Sequence, residues 1–268
     1  MRGSVLMAAR AIWKGVIRFE EVEVPVKFYS AVQDRKVHFR LLHEKDLTPV
    51  KQKMVHPQTG EPVPFEEIVR GVEVEGGVIV LLEDEELEAV QPQPSRNIAV
   101  TRFVEPSLLN HQWYDRPYFL SPDGNEQAYF ALARALGEGR KEGIARWTMR
   151  GKEYIGAMQS DGRVITLVTL FHAEEVIDAA ALPRPQGREL MDQELAMAEQ
   201  LVRALEGDFD PSTYRDEYRD RVQDLVETKA RGGIVEFKRV EEKKPEGVSL
   251  TNMLQQSIRR VEKEREVA

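Results

Sequence analysis

The chain has 268 residues, with 38 Lys plus Arg against 46 Asp plus Glu, a net charge of -8, 41% hydrophobic side chains and no cysteine. That length buries a core without a staple, and the missing cysteines exclude disulfide frameworks and zinc ribbons. The longest uncharged apolar run, Val164 to Phe171, is far below the roughly 20 residues a membrane helix needs, and the opening MRGSVLMAARAIW has no sustained apolar stretch of the secretory kind.

A cytoplasmic protein with no membrane contact is therefore expected. Net acidity argues weakly against nucleic acid, because non-specific affinity for phosphate comes from Lys and Arg.

In chain order, Val22, Val24, Val26 and Phe28 alternate with polar residues and predict a half-buried strand, with Pro25 marking an edge or a bulge. Lys36 to Leu41 alternates again, setting Val37, Phe39 and Leu41 against a basic face of Lys36, His38 and Arg40. Lys51 to Pro64, with Pro57, Gly60 and Pro62, reads as an irregular excursion. Val78 to Leu82 predicts a short buried strand, and Asp84 opens a short acidic helix stopped by Pro92 and Pro94. Strands follow at Ile98 to Phe103 and Tyr118 to Leu120.

Asn125 caps a helix carrying Ala128, Tyr129, Leu132, Ala133 and Leu136 at helical spacing. A hairpin joins Ile144–Met149 to Tyr154–Met158 through Arg150-Gly151-Lys152, and Asp161-Gly162 turns into the strand VITLVTLF. Beyond Asp192 the pattern is helical, with one stripe through Leu195, Leu201 and Leu205 and a second helix over Pro211 to Ala230. After Gly232-Gly233 the chain is polar except for an amphipathic segment, Ser249 to Val261, capped by Ser249 or Thr251.

Charge is unevenly distributed. Lys27 to Lys53 is net +4, Glu61 to Glu88 is net -9, and Arg134 to Lys152 is again net +4. Two basic stretches can build one positive surface while acidic segments face solvent.

No catalytic motif stands out. His38, His43 and Asp46 form the densest group of possible metal or acid–base side chains, but the histidines are five apart rather than four, and on a strand they face opposite sides. There is no P-loop, no G-x-S-x-G and no G-x-G-x-x-G, and Gly71 to Gly77 is too acidic to cradle phosphate. The residues alone thus favour a binding protein with no catalytic residue, metal or cofactor. A metal-dependent hydrolase using His38, His43 and Asp46 remains as an alternative. So does a single-strand binder that stacks bases on Trp13, Phe28, Tyr29 and Phe39.

Collinear blocks add a further signal. Ala11-Ile12-Trp13-Lys14-Gly15 with Val24-Pro25-Val26-Lys27-Phe28-Tyr29-Ser30-Ala31, Phe39 to Asp46, Pro64 to Gly71, Asp84 to Glu88, Tyr114 to Leu120, Ala145 to Glu153, Glu194 to Ala198 and Leu201 to Tyr218 resemble, in order, the prokaryotic Ku proteins over about residues 8 to 232. The residues before Met7 look like an alternative start. Many relatives carry Cys where this chain has His56, and the tail after Gly233 is short and charge-mixed.

The resemblance implies a mixed β/α fold: a Ku-core β-barrel over 8–190 with a long bridge at about 30–80, a helical arm at 191–232, and a flexible tail at 233–268 with a helix at about 249–262. It implies a homodimeric ring that threads onto double-stranded DNA ends without reading sequence, in double-strand break repair by non-homologous end joining. It also implies recruitment of an ATP-dependent DNA ligase, ligase D, no enzymatic activity, and association with the bacterial nucleoid. A ring reconciles an acidic chain with DNA, since only its lumen must be basic. Lys27, Arg35, Lys36, Arg40, Lys45, Lys51, Lys53, Arg146, Arg150 and Lys152 are the expected phosphate contacts, Arg146 being also a candidate core-facing ion pair. Leu201, Leu205, Tyr214, Tyr218 and Leu225 are candidates for the dimer contact or for packing within the arm. Leu250, Met253, Leu254 and Ile258 form the candidate ligase-docking stripe.

Overall fold

A computed structural model describes residues 10–183, 187–232 and 249–267. Residues 8, 9, 184–186 and 233–248, which fall within the expected domain spans, lie outside the described residues, as does the start before Met7. The chain divides into two compact units, one of residues 1–35 and 40–181, the other of residues 36–39 and 182–268.

The first unit is built on a closed seven-stranded barrel. Its strands are β1 (Trp13–Phe19), β2 (Val22–Ser30), β5 (Asn97–Val104), β6 (Tyr114–Pro122), β7 (Glu142–Met149), β8 (Lys152–Ser160) and β9 (Ile165–Leu170). The order around the barrel is β1-β2-β6-β9-β8-β7-β5, closed by parallel pairing of β1 with β5. All other pairings are antiparallel. Period-two alternation sends Ile17, Val24, Val26, Phe28, Ile98, Ala145, Trp147 and Met158 into the interior, all nearly or wholly buried. Phe28 lies at its centre, edge-on to Trp13 at 4.9 Å and close to Tyr118 and Trp147.

Closure changes the expectation for Pro25. Strand β2 has neighbours on both sides, so it is no edge. Proline is tolerated because the ladder to β6 begins only at Val26, and the Pro25 carbonyl accepts from the Asp123 N–H at 2.9 Å.

Helix α2 (Glu126–Gly139) packs on the barrel as its spacing predicts, and the Asn125 side chain accepts from the Ala128 N–H at 3.1 Å. Tyr129, 2% exposed, bolts it in place. Its hydroxyl donates to the Leu120 carbonyl at 2.5 Å and accepts from the Ile165 N–H at 2.9 Å. Burial raises its pKa, the Ile165 hydrogen bond opposing. A further pair joins β6 to β7: the half-buried Tyr114 hydroxyl donates to buried Glu142 at 2.9 Å, and desolvation together with that carboxylate pushes the phenol up to about 12.

Between β2 and β5 runs a long excursion, residues 31–90, in which no residue is buried. The expected strand at Lys36 to Leu41 is not formed; the segment is irregular. Two small turns follow, closed by the bridges Leu42–Pro49 and Val55–Pro62. Then β3 (Arg70–Val74) and β4 (Val78–Leu82) form a two-stranded hairpin, and α1 (Asp84–Ala89) ends the excursion. Strand β4 was expected to be buried, but Val78, Ile79, Val80 and Leu81 are 44 to 65% exposed. An apolar run of this kind gains from being covered, and among the described residues nothing covers it.

The second unit contains α3 (Asp192–Ala204), α4 (Glu217–Ala230) and α5 (Leu250–Val267). The helix expected over Pro211 to Ala230 is instead a single 3-10 turn at Pro211–Thr213 followed by α4, whose start is fixed by the Asp216 side chain accepting from the Arg219 N–H. Helix α5 begins after Ser249, whose hydroxyl accepts from the Asn252 N–H at 3.4 Å. It packs on α3, a partner that its apolar stripe did not name. Glu194 of α3, 2% exposed, organises that region. It takes a bidentate ion pair from Arg188, a hydrogen bond from the Met191 N–H at 3.1 Å and one from Thr251 of α5 at 3.5 Å. These donors, Arg188 first, hold its pKa down at about 2.

Candidate nucleic-acid interface

The cations of the first unit fall into two groups. Some are paired: Arg18 with Glu23, Arg70 with Asp84, Arg134 with Glu138 and Lys141 with Glu105, all within 3.0 Å. Lys14 and Lys27 share Asp123, each at 2.8 Å. Those two lysines depress the Asp123 pKa, and Asp123 raises that of Lys27. Lys27 is thus an expected phosphate contact with a carboxylate already in place.

Arg35, Arg40, Lys45, Lys51, Lys53, Arg146, Arg150 and Lys152 behave differently. All eight are exposed, and among the described residues none makes an ion pair. Local chemistry explains part of this. Asp46, the carboxylate beside Lys45, is occupied: it accepts from the Thr48 N–H at 3.1 Å, the Thr48 hydroxyl at 2.9 Å and His43 at 2.8 Å. Those bonds, Thr48 first, lower its pKa. Exposed, unpaired cations keep their full field for an external anion, whereas a surface ion pair is largely self-neutralised.

Arg150 sits at the tip of the β7–β8 hairpin with φ +53°, followed by Gly151 at +73°. Such a turn favours Asn-Gly, and an arginine in the left-handed region costs about 1–2 kcal/mol. The strain holds a cation at the hairpin tip, beside Lys152. Lys36 belongs to the segment of the second unit and is exposed there.

Several expectations are corrected here. Arg146 does not face the core: it is exposed on the outer side of β7, between buried Ala145 and Trp147. His38, His43 and Asp46 do not form a ligand set; His43 and Asp46 make a local exposed pair, and among the described residues no group of three or more His, Asp or Glu could hold a metal. Stacking of bases on Phe28 is excluded by its complete burial, and Trp13 is half-buried against it. Sequence reasoning missed Arg102, exposed on β5 next to Arg146. A shift of register between Val100 and Arg102 breaks the alternation that would have flagged it.

In the arm, Leu205, Tyr214 and Tyr218 are 61 to 75% exposed, while Leu201 and Leu225 are half-buried. On α5, Ile258 is buried and Leu254 half-buried, whereas Leu250 and Met253 are 38% and 43% exposed. No helix among the described residues is long and apolar enough to cross a membrane.

Comparison with known proteins adds a family. The model described as the Ku70/Ku80 beta-barrel domain matches residues 18–197. Over 256 residues the chain is 36% identical to Non-homologous end joining protein Ku 2 of Geotalea uraniireducens, covering 95% of this chain and 100% of that protein. It is 36% identical over 252 residues to Non-homologous end joining protein Ku of Anaeromyxobacter sp. strain K (93% and 85% covered). With the protein of the same name from Archaeoglobus fulgidus, identity is 34% over 255 residues (94% and 99% covered).

Proposed function

The chain belongs to the Ku family, and from that premise we propose that two copies close into a ring that threads onto double-stranded DNA ends, holding them by phosphate contacts alone. It is a DNA-binding scaffold of non-homologous end joining, not an enzyme. The observation that carries the ring is the excursion of residues 31–90. It holds five of the eight unpaired cations and buries no side chain, so it has charge for a polyanion and apolar surface for a second protein chain.

Arg35, Arg40, Lys45, Lys51, Lys53, Arg150 and Lys152 are the proposed phosphate contacts, with Lys36 beside them in sequence. Lys27 contributes more weakly because Asp123 already screens it. Repair accepts any sequence, so contacts to phosphate without base readout are the mode required. Leu205, Tyr214 and Tyr218 are the proposed dimer contacts of the arm, with Leu201 and Leu225 packing beneath them. The exposed residues of α5, Leu250 and Met253, are the proposed start of ligase D docking, with Leu254 and Ile258 shaping the stripe from the side of α3.

The decisive test is a gel shift with one duplex in three topologies: linear, covalently closed circle, and linear with both ends blocked by bulky hairpins. Binding confined to the open linear form, and retained after that form is circularised, is the expected result. Equal binding to the circle replaces the ring with an open basic patch. Deleting residues 248–268 is expected to reduce ligase stimulation while sparing end binding; equal loss of both removes the docking assignment.

A further inference from the structure

The outer face of the barrel carries a groove of about 800 Å³. Its floor is made by outward residues of β7 and β8, Ile144 and Ile155, both half-buried. Its walls come from the segment between β5 and β6, through Leu109 and Trp113, and from Phe171 just after β9, which is 38% exposed. Two cations reach the same groove, Arg146 of β7 and Arg102 of β5. The strands are paired so that Ala99 faces Arg146 and Arg102 faces Ile144, which sets the two guanidiniums near one another along the floor. The bulge at Val100/Arg102 re-aims the second of them. Among the described residues neither arginine has a carboxylate partner, although Glu174 also lines the groove.

A second apolar groove, between α2 and the ends of β1 and β5, sharpens the contrast. Its single cation, Lys141, is already paired with Glu105 at 2.9 Å. Of these two grooves, the outer-face one couples an apolar floor to positive charge that has no carboxylate partner among the described residues. Phosphodiester contacts need cations but no apolar floor. A peptide carrying an apolar anchor between carboxylates needs both, because arginine forks carboxylates and an anchor gains most in a desolvated pocket.

We propose that this groove docks an acidic peptide segment of a partner protein, with a Trp or Leu side chain seated on Ile144 and Ile155 and flanking carboxylates held by Arg102 and Arg146. The assignment moves Arg146 from the DNA-contacting set to the partner-binding set and does not depend on the ring.

The test is fluorescence anisotropy of the full-length protein with a fluorescein-labelled peptide, Glu-Glu-Trp-Leu-Glu-Glu. Two controls carry Gln for every Glu, or Ala for Trp and Leu. Saturable binding of the acidic peptide is expected, with both controls weaker by about tenfold or more. Arg102→Glu is expected to abolish it while circular dichroism and duplex-end binding stay unchanged. Absent or unsaturable binding, equal binding of the Gln peptide, or indifference to Arg102→Glu overturns the proposal. So does competition by blunt duplex combined with Arg146→Glu losing affinity for duplex rather than for peptide, a result that gives the groove to DNA.

Discussion

Valine is plentiful both in the barrel and in the excursion, yet the two regions use it in opposite ways. Val24 and Val26 of β2 are fully buried, whereas Val72, Val74, Val78 and Val80 of the β3–β4 hairpin are 44 to 59% exposed. The barrel closes on itself, so each strand finds two neighbours and its inward side chains find a core. Among the described residues the hairpin has two strands, two open edges and no layer against either face, an arrangement that is marginal alone in water. The difference teaches that stability and function are separated along one chain. The barrel buries its own apolar side chains, and the excursion leaves its apolar and cationic groups exposed among the described residues.

The largest effect belongs to the barrel. Phe28→Ala removes a ring that is fully buried and touches Trp13, Tyr118 and Trp147, and it should cost about 3–5 kcal/mol. Chemical denaturation monitored by tryptophan fluorescence reads it. A cost near zero would mean that the barrel interior is not the core.

Next in size is the excursion's charge. Lys51→Glu with Lys53→Glu should lower affinity for linear duplex by roughly 100-fold at moderate salt and flatten the salt dependence by about one unit of slope per lost phosphate contact. Denaturation midpoints should not move, because both lysines are exposed and unpaired. A loss of stability without a change in salt slope would erase the distinction between the two regions.

How much of this was legible beforehand follows from the same contrast. The strands at Val22–Ser30, Glu142–Met149, Lys152–Ser160 and Ile165–Leu170 were readable from their patterns while β1 at Trp13–Phe19 was not expected, and α2 was readable because Asn125, Tyr129, Leu132 and Leu136 encode cap and stripe locally. Lys36 to Leu41 alternates equally well but forms no strand, since pairing is a property of a neighbour and not of the segment. Val78 to Leu82 reads as buried for a similar reason: composition records the need for a cover, not which molecule provides it. The basic stretches were visible as charge. Their sorting into paired and unpaired cations was not, because it depends on Asp123 meeting Lys14 and Lys27 across strands and on Asp46 being used up by Thr48 and His43.

A smaller effect probes the second unit. The Glu194 pKa is depressed from 4.5 to about 2, so its ion pair stabilises fully at neutral pH and is lost as pH falls through that window. Hydrogen exchange in α3 and α5 should therefore accelerate on acidification below the usual carboxylate range. Glu194→Gln should show faster exchange already at neutral pH and little further change on acidification. An unaltered acid response in that variant would place the sensitivity on another carboxylate.

The smallest effect is also the most discriminating. Val80 is 44% exposed, so Val80→Thr should change the stability of a single protomer by no more than about 0.5 kcal/mol. If a second copy covers the hairpin, association stabilises the folded state by mass action and the thermal midpoint rises with protein concentration. The substitution should then leave the midpoint of dilute protein untouched and shrink its rise with concentration, because a hydroxyl replaces a methyl in the covered face. A cost that is equal at every concentration would mean that the hairpin is packed by its own chain, and the separation between a self-sufficient barrel and a dependent excursion would have to be given up.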